Sequence, residues 1–428
     1  MKRLFSPFIL LCGTGMFAIF SSTISKNPVL PLFSKSLGAS AFLIGLIAGC
    51  STLTGIIASL PAGVLSDFYG RRKVILTGAF VFVSAPVMYF FVSDPWHLAI
   101  VRAYHGLATA IFGPVAVALV ADLFEERRGQ SMGWYSTSKL VGRAIAPTVG
   151  GSIIQLSVLP RSESAGQASS VIRLLRRYGY RSVYFACGAA GLVMLILSAI
   201  IPIKHNIRTS ESASLSEKVR KMGIGLREIG KSRGIMVTSC VEAVQWLAFG
   251  ALEPFLPLYC VALGIKYSWI GILGTIQIVA TALTSPMMGR LSDKYGRKPM
   301  ISTGLILGAV GMGMIPFLKT FWALVPVIVL FGISFAAVIT STAASVSDMA
   351  KAESRGSALG VMGTIMDIGQ AAGPIIAGVL LRASMGEAEL SRGNYMMMFL
   401  TVSFILLLMG GSFPLLVGKQ KSDITQEG

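Results

Sequence analysis

The sequence predicts an all-α polytopic membrane protein, with twelve transmembrane helices in two parallel-repeat six-helix halves. Three observations predict it. The 428 residues are 54% hydrophobic and 13% charged, with a mean hydropathy of +0.72, whereas soluble domains carry about 25% charged residues. Apolar runs of about 18 residues or more, long enough to cross a bilayer as helices, recur along the whole chain. One charged segment, GVLSDFYGRRKV at 63–74, is written again as GRLSDKYGRKPM at 289–300.

The elements follow in order. The run 5–24 stands behind Met1, Lys2 and Arg3 and imitates a secretory signal, but no small-residue cleavage site follows, so it is read as a retained span. Spans 40–61 and 74–93 flank the first charged segment, and 97–121 carries LAIVRAYHGLATA. Span 131–157 contains GRAIAPTVGG, and 183–202 closes the first set. The second set runs 235–256, 268–288, 299–318, 321–346, 357–381 and 395–417.

A net charge of +18 raises the question of nucleic acid, but in such a chain basic residues report topology first. With the N-terminus inside, 23 of the 37 Lys and Arg fall in inside segments, 11 in outside loops and 3 within spans. Both termini are therefore expected to be cytoplasmic, in the inner membrane of a bacterium, and no nucleic-acid partner is expected. The five cysteines lack metal-ligand spacing and read as small apolar residues. There is no Gly-Lys-Ser/Thr phosphate loop, metal cluster or nucleophile elbow, so an ATP-driven pump or an enzyme is poorly supported and no cofactor is expected.

The charged segment belongs to a duplication. Asp67 and Asp293 lie 226 positions apart, as do Gly70 and Gly296. NPVLPLFSKSLG at 27–38 is echoed by EPFLPLYCVALG at 253–264, and GRAIAPTVGG at 142–151 by GQAAGPIIAG at 369–378. The predicted organisation is a six-helix half over 1–203, a basic cytoplasmic linker over 204–233, a second half over 234–418 and a tail over 419–428. Repeats of even span number keep one orientation, which leaves room for a site between them near the midplane.

With these landmarks the chain resembles a transporter of the major facilitator superfamily, in its proton-coupled drug and metabolite antiporter branch, over nearly its full length. The family's turn between helices two and three is matched by Gly63, Asp67, Gly70 and Arg71, and in the second half by Gly289, Asp293, Gly296 and Arg297. The resemblance implies a cytoplasmic latch of Asp67 with Arg71, with Asp122 as a further partner. A plain topological anchor is the alternative. The glycines are expected to permit close approach and a tight reversal.

The fourth span places Arg102 where the family has an arginine implicated in proton coupling or recognition of substrate charge; snorkelling to the boundary is the blander reading. Gly142, Pro147 and Gly151 resemble the family's exporter motif. Gly369, Pro374 and Gly378 repeat it, so ordinary helix packing and bending explains both. Lys139 and Arg143, four apart, share one face of the fifth span, whereas Glu242 and Asp367 are carboxylates of the second half. Either the cations bind an anionic group while a carboxylate carries the coupled proton, or the charges pair as a structural network. The basic stretch SVIRLLRRYGYR at 170–181 reads as an amphipathic helix on the membrane surface or as an attractor of anionic ligands.

The function expected is secondary active transport by alternating access, with a small-molecule substrate, protons as coupling ion, the lipid bilayer as surroundings and a single copy of the chain as the unit. Proton-coupled efflux of a drug or metabolite is the first reading. Proton-coupled uptake of an anionic solute is the second, and a transport-inactive sensor or scaffold the third.

Overall fold

The computed structural model describes residues 6–124, 127–158, 170–201, 230, 232–351, 354–383 and 392–417. Nearly all of the expected linker at 204–233, and the tail at 419–428, lie outside them. The first sequence half provides α1 (Pro7–Ile24), α2 (Val29–Ser36), α3 (Ala41–Tyr69), α4 (Arg71–Met88), α5 (Pro95–Leu123), α6 (Arg128–Val158), α7 (Ser170–Tyr178) and α8 (Val183–Ile200). The second provides α9 (Arg233–Ala262), α10 (Tyr267–Tyr295), α11 (Arg297–Met314), α12 (Phe321–Met349), α13 (Arg355–Ala383) and α14 (Arg392–Val417).

Among the described residues, 11 helical stretches are long and apolar enough to cross a membrane. Helix α6, 31 residues long, is not one of them by composition. It is the expected fifth span, and Lys139 and Arg143 sit in its middle among Ser, Thr and Gly.

The duplication is visible in the element bounds. Helices α3 and α10 are each 29 residues, α4 and α11 each 18, and α5 and α12 each 29. Each pair begins and ends 226 positions apart. Both α4 and α11 run out into a single 3-10 turn, Tyr89–Phe91 and Ile315–Phe317. Helix starts are capped in kind. The Asp94 carboxylate accepts the amides of Trp96 (2.8 Å) and His97 (3.0 Å) ahead of Pro95, and the Thr320 hydroxyl accepts that of Ala323 (3.3 Å). Trp96 and Trp322, two residues past these caps, are 61% and 72% exposed, as in an interfacial aromatic belt.

Contacts gather the chain into two compact units that cut across the sequence halves. Unit 1 comprises Met1–Ile207 with Leu252–Ile278 and Pro374–Ala383, and unit 2 comprises Arg208–Ala251, Val279–Gly373 and Ser384–Gly428. In unit 1, α1 packs on α6 and α8, α3 on α5, and α4 on α5 and α8. Phe82, Phe112, Leu119, Tyr135 and Met194 fill the core between them. In unit 2, α11 packs on α12 and α14. Unit 1 thus includes second-half residues from the ends of α9, α10 and α13 remote from the charged turns.

Candidate functional sites

The charged turns are not loops. Helix α3 continues through Ser66 and Asp67 to Tyr69, and α10 through Asp293 to Tyr295, so the reversal shrinks to one residue, Gly70 or Gly296. These glycines hold φ of 87° and 94°, in the left-handed region that side chains with a Cβ avoid. Close approach was expected of Gly63 and Gly289 as well. A methyl group at either would meet no atom within 4 Å among the described residues, so in this structure the glycine requirement rests on Gly70 and Gly296.

Arginine follows the reversal in both copies. The Arg71 guanidinium pairs through Nε with Asp122 at the end of α5 (2.5 Å). Arg297 pairs through Nε with Asp348 at the end of α12 (3.1 Å) and through Nη1 with Asp293 (2.5 Å). The Asp67 side chain lies outside the described residues, so its expected pairing with Arg71 does too. Asp348 was not anticipated from the sequence, although it stands 226 positions after Asp122. These pairs are half exposed, and such pairs contribute about 0–1 kcal/mol to stability.

Arg102, two turns into α5, is 1% exposed. Its Nη1 donates to Ser25 (3.2 Å) and Tyr89 (3.1 Å), and its Nη2 to Ser51 (2.7 Å). Among the described residues its hydrogen-bond partners are these three hydroxyls, with no carboxylate. Tyr89 also meets Nδ1 of buried His105 (3.3 Å) and stacks on Tyr184 with ring centroids 3.8 Å apart. One guanidinium thereby ties α5 to the end of α1, to α3 and to the turn after α4. Snorkelling does not describe this side chain, because it points into protein.

In unit 2, Glu242 of α9 is 3% exposed and accepts a hydrogen bond from Thr342 of α12 (2.7 Å). Thr238 and Gln245 share its helical face at i−4 and i+3. Both are fully buried, and neither Thr238 Oγ1 nor either terminal atom of Gln245 has a hydrogen-bond partner among the described residues. Ser341, beside Thr342, has a buried unpartnered hydroxyl too. Trp246 closes the cluster, its ring edge-on to Phe335 (4.8 Å). Unpartnered buried polar atoms cost about 1–3 kcal/mol each, and several of them gather around this one carboxylate.

The α6 cations are half buried. Lys139 lies over the Tyr135 ring (4.9 Å), and Arg143 is within the electrostatic reach of Glu253, also in unit 1. Asp367 is half buried in α13, within unit 2, and is likewise not isolated.

The small residues make backbone contacts. A side chain at Gly142 would strike the carbonyl of Met16 in α1, and one at Gly369 the carbonyl of Ala243 in α9. Gly151 meets the Tyr267 carbonyl of α10, and Gly378 that of Ala41 in α3, where a methyl would sit 2.5 Å from the oxygen in each case. Pro147 and Pro374 lie inside their helices, next to these contacts.

Comparison with known proteins places this architecture. The family model of the Major Facilitator Superfamily matches residues 10–268 and 238–427, so the chain belongs to that superfamily: it is a multi-pass membrane transporter. It is 25% identical over 369 residues to the multidrug resistance protein MdtG of Citrobacter koseri, covering 84% of each chain. It is 24% identical over 404 residues to multidrug resistance protein 2 of Bacillus subtilis, covering 93% of this chain and 94% of that one. An uncharacterized MFS-type transporter of Methanocaldococcus jannaschii is 24% identical over 376 residues, covering 88% and 89%. Among solved structures, a bacterial homologue of the human lysosomal transporter Spinster superposes with a TM-score of 0.79 at 16% identity, covering 99% and 98% of the two chains. The nucleoside transporter NupG gives 0.76 at 12% identity, covering 97% of this chain and all of that one.

Proposed function

We propose that the protein is a proton-coupled exporter of a small organic compound, drug or metabolite, working by alternating access as a single chain of two six-helix halves. The observation that carries the coupling is Glu242, a carboxylate removed from water, held by Thr342 and near polar groups that have no hydrogen-bond partner among the described residues. Ionisable groups at membrane depth are costly and serve transport, and proton exchange at a buried carboxylate is their common use. Asp367 is the second candidate carrier. Export is supported by the multidrug-resistance relatives.

In this reading Arg71 with Asp122, and Arg297 with Asp293 and Asp348, are the cytoplasmic gate, to which Asp67 is assigned from the sequence. Both termini face the cytoplasm and the membrane is the bacterial inner membrane. Arg102 keeps the first-half helices in register, and the packing glycines with Pro147 and Pro374 set their approach. Lys139 and Arg143 favour a second reading, uptake of an anionic solute, because two cations on one face of α6 suit an anionic group.

The deciding experiment is reconstitution into liposomes with an imposed pH gradient and a substrate panel, following solute and proton together. Opposed fluxes are expected. Parallel fluxes would establish the uptake reading, and no flux with any solute would return the sensor or scaffold reading.

A further inference from the structure

Helix α7 stands apart from the transport chemistry. Val171, Leu174, Leu175 and Tyr178 recur at i, i+3, i+4 and i+7 on one face, and Arg173, Arg176 and Arg177 occupy the other. No residue of the helix is fully buried; Val171 and Leu174 are 61% and 47% exposed while Leu175 and Tyr178 are half buried, so the first half of its apolar face stands open among the described residues. Its far end is nonetheless anchored. The Tyr178 ring meets Phe90 edge-on (5.5 Å) and Phe185 (5.2 Å), and Arg181 Nη2 donates to the Val92 carbonyl (2.6 Å). Val92 also lines a cleft of about 290 Å³ with Met88, Phe91, Ile100 and Val101, apolar but for His97 at its edge.

We propose that α7 and this cleft form a binding site for an anionic phospholipid. The acyl chain lies along the apolar face and into the cleft, and the phosphate is held by the arginines above it. The apolar component excludes free phosphate as the fitting ligand, and four arginines within nine residues favour a net negative headgroup over a zwitterionic one. Asp94, at the start of α5, is engaged by two amides and by the His97 imidazole (2.7 Å), and among the described residues no ion pair joins a carboxylate to these arginines. Arg176 and Arg181 each keep a buried Nε without a hydrogen-bond partner among the described residues, donor capacity a phosphate oxygen would take up.

The test is native mass spectrometry of the purified full chain in detergent, titrated separately with phosphatidylglycerol and phosphatidylcholine. Each juxtamembrane arginine is worth about fivefold toward an anionic headgroup. Wild type is therefore expected to retain phosphatidylglycerol at least about tenfold better. R173Q/R176Q/R177Q should lose that preference, the corresponding triple lysine variant should keep it, and millimolar inorganic phosphate should not displace the lipid. If the glutamine variant does not fold, V171S/L174S, which leaves the arginines in place, should weaken retention of both lipids. Equal retention of the two lipids by wild type, a preference surviving the glutamine changes, undiminished retention by V171S/L174S, or displacement by phosphate would each overturn the site.

Discussion

The two halves of the sequence share their turns and caps but not their interiors. Gly70 and Gly296, Arg71 and Arg297, Asp122 and Asp348 are matched one for one at 226 positions. The buried polar networks are not. The first half encloses Arg102 with Ser25, Ser51, Tyr89 and His105. The positions 226 residues after Arg102, Tyr89 and His105 hold Ile328, Ile315 and Phe331, all fully buried. The second half encloses Glu242 with Thr342, and Ala116 stands where Thr342 has its counterpart. Duplication preserved what shapes the ends of the helices, while polarity inside diverged, one half keeping a cation and the other a carboxylate. On the proposed function the shared parts serve folding and gating alike in both halves, and the unshared parts are where the halves differ in task.

The sharpest way to break that contrast is Glu242→Gln. It preserves shape and the Thr342 contact and is expected to reduce pH-gradient-driven flux in liposomes to background while expression stays normal; intact coupling would move the role to Asp367. Next in size, Arg102→Met strands three hydroxyls and should cost about 1–3 kcal/mol or more, seen as a clear fall in melting temperature. Ile328→Ala at the matching position should cost about 2–5 kcal/mol by leaving a cavity, without touching any polar group. Similar losses of stability with different transport defects would support divided tasks.

Gly142→Val and Gly369→Val should destabilise to similar degrees, by about 1–3 kcal/mol, since each meets a backbone carbonyl of a neighbouring helix. A large inequality in thermal melts would show that the two contacts are not equivalent. Arg71→Gln and Arg297→Gln should lower stability by less than about 1 kcal/mol yet slow transport. A well-expressed variant with unchanged flux would leave the turn as an anchor only.

The smallest effect separates the two caps. The Asp94 carboxyl is held below its ordinary range, chiefly by the His97 amide, against an opposing desolvation, with the Trp96 amide and then the His97 imidazole adding to the lowering. A depressed folded-state value gives stability that is present above the unfolded value, about 4, and lost as pH falls through the folded one. Wild type should thus lose a little melting temperature on strong acidification that Asp94→Thr, which copies the Thr320 cap, does not lose.

Much of the fold is legible because its signals are long. Apolar runs of membrane length and a repeat with three matched landmarks need no tertiary information, and the helix bounds confirm both. The paired aspartates are half legible: Asp122 stands out as a partner, and Asp348 requires only adding the same offset. The charged turn reads as a loop because its polar residues resemble a reversal, whereas hydrogen bonding lets a helix continue to the last residue before a glycine with positive φ. The hydroxyls around Arg102 come from three other segments, at Ser25, Ser51 and Tyr89, and no local pattern announces such a convergence. The same holds for Thr342, 100 residues from Glu242.

The contacts at Gly142, Gly151, Gly369 and Gly378 set main chain against main chain. Helices that meet in this way have almost no rotamers to freeze when they come together, so parting and rejoining them carries little side-chain entropy. On the proposed cycle these surfaces act as plain bearings: smooth, close in fit, and intolerant of a single added methyl group.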